Sequence, residues 1–139
     1  MADILQEEPR AIPPAGGPAG PEERGAMTLL SCFIRPESLE AVTAALNALE
    51  VVGGMTVTDV RGFGRQRGHV EHYRGEAYVI RFLPKVRLEV AVRAQDADRV
   101  MSAIHAAART GQAGDGKVFV AELRTVVRIR TGERGIGAL

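Results

Sequence analysis

Three glycines fall within the eight residues Thr110-Gly111-Gln112-Ala113-Gly114-Asp115-Gly116-Lys117. Glycines at that density let successive backbone N–H groups converge on one point, and the lysine adds a point charge, so the stretch suits an anion such as a phosphate. It lacks the spacing of a Walker A loop. The same residues also suit a helix end followed by a tight turn into a strand. Arg128 and Arg130 form a second candidate. Read as strand residues, they put two guanidiniums on one side, where they can clamp a polyphosphate or face solvent at a sheet edge. Gly62-Phe63-Gly64-Arg65-Gln66-Arg67-Gly68 has the glycine density of a dinucleotide motif, yet it ends a strand and leads into no helix, which excludes that reading. His69, Glu71 and His72 are residue types that bind metals, and equally types that decorate an exposed loop. His105 falls in mid-helix as a surface or packing residue. No nucleophile, base and orienting group come together in the pattern, so no enzyme is expected.

The cations carry a further signal. The chain of 139 residues has 16 arginines and two lysines, Lys85 and Lys117. Where arginine replaces lysine wherever either serves, a surviving lysine marks a place that needs a compact ammonium, or else escaped by chance. The net charge of +1 is too small for a nucleic-acid-binding footprint. A hydrophobic share of 45% and a charged share of 25% are those of an ordinary soluble domain. One cysteine, Cys32, forms no intrachain disulfide and suits a reducing compartment; on a strand it reads as a small buried apolar residue. No apolar stretch approaches the roughly 20 residues of a membrane span, and residues 1–26 do not read as a signal peptide.

These residues need elements to position them. Residues 1–26 hold five of the seven prolines and are expected to be a disordered extension, with the domain occupying 27–139. Thr28 to Ile34 reads as a strand. Pro36 opens a helix with Leu39, Val42, Leu46 and Leu49 on one face, and Met55 to Val60 reads as a second strand. Val86, Leu88, Val90 and Val92 alternate with polar or small residues in the clearest strand of the chain. Asp96 is placed to cap a second helix with Ala97, Val100, Ile104 and Ala107/Ala108 inward and Gly111 as its stop. Val118 to Leu123 and a short last strand, Thr125 to Arg130, complete the set. The order is that of an α+β, ferredoxin-like βαββαβ fold. Its two helices cover one sheet face only, so subunits are expected to pack sheet to sheet as an oligomer. Residues 64–81, between the second and third of these strands, show no clear periodicity and read as a long functional loop.

Several stretches resemble, in order and spacing, the PII nitrogen-regulatory signal proteins. They are Ile34-Arg35-Pro36, GMTVTDVRGFGRQRGH (Gly54–His69), YRGEAY (Tyr73–Tyr78), FLPKV (Phe82–Val86), TGQAGDGKVFV (Thr110–Val120) and VVRIRTGE (Val126–Glu133). The resemblance covers residues 27–135. It implies a cytoplasmic homotrimer of ferredoxin-like subunits, sheets inward, with sites for ATP or ADP between subunits. It assigns Gly114, Asp115, Gly116 and Lys117 to the phosphate-binding turn and Arg128 and Arg130 to the phosphates, the sites being assembled from two chains. Ile34, Thr56, Gly62 and Gly64 are assigned to the lining of the nucleotide cleft. Gln66 matches a Mg²⁺ ligand. Lys85 matches a lysine that pairs with a 2-oxoglutarate carboxylate, beside the backbone of Gln66, Arg67 and Gly68. Both lysines thus fall on ligand positions. Through the loop 64–81 such a protein would report to a nitrogen-metabolism enzyme or an ammonium transporter. Tyr78 matches the tyrosine modified by uridylylation in some members. Glu76 and Ala77 invert the usual small and acidic order there, and Arg81 stands where an acidic residue is common. The alternative is a divergent member serving another transport system such as metal efflux, for which His69 and His72 are the candidate ligands.

Overall fold

The computed structural model describes residues 25–64, 69–80 and 82–139. Four strands form one sheet in the order β2-β5-β1-β6, with every neighbouring pair antiparallel. They are β1 (Met27–Ile34), β2 (Thr56–Gly62), β5 (Leu83–Arg93) and β6 (Gly116–Leu123). Register explains the core. Leu30, Cys32 and Ile34 of β1 lie opposite Val90, Leu88 and Val86 of β5, and all six are buried on one face. Alternation in β5 is what puts Val86, Leu88, Val90 and Val92 on that single face.

Two helices cover it. In α1 (Leu39–Asn47) the buried residues are Val42 and Leu46, with Leu39 and Leu49 packed beside them. In α2 (Ala97–Ala108) they are Val100, Ile104 and Ala108. Both helices are entered through a short 3₁₀ turn, Pro36–Ser38 and Ala94–Asp96. That entry overturns the expected cap: Asp96 has helical backbone angles and makes no side-chain capping bond. Cys32 is buried as expected, and burial pushes its thiol up to about 11.

Two expectations change. Within the stretch read as a loop, β3 (His69–Tyr73) and β4 (Glu76–Ile80) form a separate two-stranded hairpin. Arg74 and Gly75 make its two-residue turn with φ of 51° and 79°. Two positive φ values give a type I′ turn, whose twist suits a hairpin. The second change is at the C-terminus. Thr125 to Arg130 is not a strand. Beyond β6 the chain folds back so that Val127 bridges Arg134, with Arg128 N–H donating to Glu133 O at 2.9 Å and Gly135 N–H to Val126 O at 3.0 Å. Gly132 and Gly135, with φ of 72° and 79°, allow this reversal. Arg128 and Arg130 therefore do not share a strand face.

The sheet face away from the helices is only partly covered. Register places Leu29, Ser31 and Phe33 of β1 beside Arg87 and Glu89 of β5 and Phe119 of β6. Ser31 Oγ donates to Glu89 at 3.0 Å, and Arg87 pairs with Glu89 at 2.9 Å. Phe33 and Phe119 meet edge to face at 5.7 Å, and Phe119 is still 56% exposed.

Candidate functional site

The glycine turn is built where α2, β1 and β6 come together. After Ala108 the chain leaves the helix with Arg109 extended, and Gly111, Gly114 and Gly116 take φ of 90°, 98° and 111°. Gly116 is required by contact as well as by angle. It sits opposite Ile34 in the β1–β6 ladder, and a Cβ there would lie 1.7 Å from Phe33 O. Asp115 ties the turn together from inside. Its carboxylate accepts from Thr110 N–H and Gly111 N–H at 2.8 Å each, and from the Thr110 hydroxyl. The Thr110 hydroxyl first, and then these amides, hold the Asp115 carboxyl far below the usual carboxylate range. Asp115 thus braces the turn; its carboxylate is already taken up by the turn itself.

Two cations hold the turn by its carbonyls. Arg35 Nη2 donates to Ala113 O at 2.6 Å, and its Nε lies 3.4 Å from Asp115 Oδ1. Lys85 Nζ donates to Gly114 O at 2.7 Å. Burial lowers the Lys85 pKa from its ordinary value, and the Arg35 charge lowers it further, against the opposing pull of Glu37 and Asp115.

A cavity of about 820 Å³ opens beside this turn. It gathers Gly62, Gly64, Lys85, Gly114, Asp115, Gly116 and Lys117. The only two lysines of the chain therefore face one cavity. Not every sequence candidate joins them. Ile34 turns into the core with 2% exposure and borders a second cavity, of about 840 Å³, between the turn and α2. Its neighbour Phe33 lines the first cavity instead, because adjacent strand residues point to opposite faces. Thr56 is exposed on β2 opposite Glu89, and it does not line the cavity. Nor do Arg128 and Arg130: Arg128 pairs with Glu133 at 2.9 Å and donates to Gly137 O at 3.1 Å, and Arg130 is exposed. Gln66, Arg67 and Gly68 lie outside the described residues.

Sequence reasoning gave no role to Phe33 or Arg35, and took Thr110 and Gln112 only as parts of the glycine stretch. Strand alternation was a usable signal for Phe33. No local pattern marks Arg35, which reaches the turn across 78 residues of sequence. His69 and His72 both lie on β3 of the hairpin. Among the described residues no group of three or more His, Cys, Asp or Glu is placed to hold a metal ion. None of the described helices is long and apolar enough to cross a membrane.

Comparison with known proteins agrees with this architecture. The family model described as nitrogen regulatory protein P-II matches residues 27–133. The nitrogen regulatory protein GlnK of Escherichia coli (strain K12) is 50% identical over 113 residues, which are 81% of this chain and all of that protein. The nitrogen regulatory protein P-II of Azospirillum brasilense is 48% identical over the same shares of each chain. Among solved structures, PII of Arabidopsis thaliana bound to citrate superposes with a TM-score of 0.67 at 35% identity, over 82% of this chain and 92% of that one. With its ferredoxin-like sheet order, its glycine turn and these relatives, the chain belongs to the P-II nitrogen regulatory protein family and is a regulatory protein, not an enzyme.

Proposed function

We propose that this protein binds ATP or ADP at the glycine turn and 2-oxoglutarate at Lys85, and reports the result to a partner through residues 64–81. The observation that carries this reading is the single cavity in which Lys117, Lys85 and the turn Gly114–Gly116 meet. Converging amides and Lys117 suit the phosphates of a nucleotide. The Lys85 ammonium suits a carboxylate a short distance away. Gly62 and Gly64 admit a flat base close to the backbone, and Phe33 offers it an apolar surface.

The reading also calls for a homotrimer. Thr56, Arg128 and Arg130 stand away from the cavity of their own chain and would complete the site of a neighbouring copy. The exposed ring of Phe119 and the Arg87–Glu89–Ser31 network on the sheet face away from the helices support burial against other copies. Bound Mg²⁺ would share its charge between the phosphates and the effector carboxylate, with Gln66 as its protein ligand. Among the described residues lining the cavity the one carboxylate, Asp115, is already bonded within the turn, which suits a cation held chiefly by phosphate oxygens and water. Anions bound side by side around shared positive charge favour each other, so nucleotide and effector are coupled. Occupancy at Lys85, and at Gln66, Arg67 and Gly68, then biases the shape of the segment that begins there. The β3–β4 hairpin is the surface offered to the partner, an enzyme of nitrogen metabolism or an ammonium transporter, and Tyr78 on β4 is the proposed modification site. The cytoplasm supplies both ligands and is the proposed location.

Calorimetry with Mg-ATP, with and without 2-oxoglutarate, tests the reading: Mg-ATP binds, and 2-oxoglutarate binds measurably only when it is present. No heat with either nucleotide would sink it. A mixture of Lys117→Ala and Arg128→Ala chains tests the shared site. Each variant alone binds poorly, and mixed trimers regain some full-affinity sites only if the two residues come from different chains.

A further inference from the structure

Resting on the nucleotide reading above, we propose that Arg35 is a positioning residue for the nucleotide site, holding the glycine turn in its anion-accepting shape without itself meeting the anion. Arg35 follows the last residue of β1 and has extended backbone angles, φ −64° and ψ 143°. Pro36 disfavours any helical alternative at the residue before it, so the backbone aims this side chain. Its guanidinium reaches two points of one turn: Nη2 donates to Ala113 O at 2.6 Å and Nε approaches Asp115 Oδ1 at 3.4 Å. The side chain is only 16% exposed.

What that does follows from peptide geometry. All peptide bonds among the described residues are trans. In a trans peptide the C=O of one residue and the N–H of the next point in opposite directions. A donor fixed on Ala113 O therefore turns the Gly114 N–H away from Arg35. Lys85, by holding Gly114 O, does the same for the Asp115 N–H. Two cations on consecutive carbonyls thus set the direction of two consecutive amides. Only one of the pair is free of other duty in this reading, because Lys85 also meets the effector. Arg35 keeps the turn in place whatever Lys85 is doing. A planar, forked group can span a carbonyl and a carboxylate together; an ammonium can keep one of the two.

The test uses the full chain with Arg35→Ala and Arg35→Lys, measuring Mg-ATP and ADP affinity by calorimetry and amide hydrogen exchange without ligand. For Arg35→Ala the expected result is about a tenfold or greater loss of affinity for both nucleotides, the scale of one charge-assisted hydrogen bond. Exchange should quicken at the Thr110 and Gly111 amides and stay unchanged in β1 and β5. Arg35→Lys, which keeps a donor for Ala113 O, should recover most of the affinity. Arg35→Ala with parental affinity and parental exchange at 110–117 overturns the proposal. So does loss of affinity with faster exchange throughout the core, which would make Arg35 a general stabiliser. If the parent chain binds no nucleotide, the reading of the site fails first and the proposal falls with it; the first two results leave that reading intact.

Discussion

Gly116→Ala puts the construction of the turn to its hardest test. Two costs add. A φ of 111° lies in the region that L side chains avoid, which costs about 1–2 kcal/mol. The new Cβ would also stand 1.7 Å from Phe33 O and 2.8 Å from the Phe33 carbonyl carbon. Both are backbone atoms, which cannot swing aside as a side-chain tip can. Separations under 3.0 Å are essentially never seen for a real Cβ, so β1 and β6 must part by more than 1 Å where Ile34 faces Gly116. That breaks one or two ladder hydrogen bonds at about 1 kcal/mol each. The sum is about 2–4 kcal/mol. For a domain of this size it lowers Tm by roughly 8–16 °C, at about 4 °C per kcal/mol. Thermal unfolding followed by circular dichroism reads this directly, at one fixed protein concentration, since any assembly makes Tm depend on concentration. Gly64→Ala is the control. Among the described residues a Cβ at Gly64 meets nothing within 4 Å, so its Tm should stay within about 2 °C of the parent. A Gly116→Ala protein that melts as close to the parent as that would refute the reasoning.

Three further outcomes are expected. The Lys85 pKa is lowered, by burial and then by Arg35, so its charge is lost at lower pH than for an ordinary lysine. Affinity for 2-oxoglutarate, present below that pKa, should therefore fall as pH rises through a midpoint below 10.5, and Lys85→Arg, which keeps its charge, should flatten the profile in calorimetry. Arg128→Ala should cost the fold only about 1 kcal/mol in a urea melt, since its pair with Glu133 is exposed, while nucleotide affinity drops much further. The β3–β4 amides should exchange faster than those of β1 and β5, because an isolated two-stranded hairpin is marginal on its own; equal protection would show that something braces it.

The parts of the fold with a clean period were legible in the sequence. Val86 to Val92 and the Val100–Ile104–Ala108 stripe bury the residues expected of them, because one face of each faces the core throughout its length. The hairpin was not legible, because its turn is Arg-Gly rather than the usual Asn-Gly, and its strands stand apart from the four-stranded sheet that carries the core. The C-terminal turn was missed for a related reason: Thr125 to Arg130 has strand-like residues, and two glycines just beyond it, Gly132 and Gly135, decide its course. Within the site, the glycine turn and Lys85 came from local pattern and resemblance. The exchange of Ile34 for Phe33 is a one-residue matter that strand alternation decides, since Ile34 shares the buried face with Leu30 and Cys32. Arg35 lay beyond any local reading, since its partners, Ala113 and Asp115, are distant in the chain.

The two ends of β1 have different duties. At Ile34 the strand meets Gly116, Arg35 and the cavity; at Met27 it meets Arg93 and Leu123. Seven rises of a strand separate them, roughly 23 Å. Ala26 O accepts from Ala94 N–H at 2.9 Å, so the entry to β1 is tied to the start of the second helical segment. Cargo joined ahead of residue 25, such as a fluorophore, a surface tether or a second domain, is thereby attached at the pole opposite the cavity. This makes the domain suited to use as an immobilised probe: anchored at the Met27 end of β1, it would keep the tether a strand's length from the glycine turn.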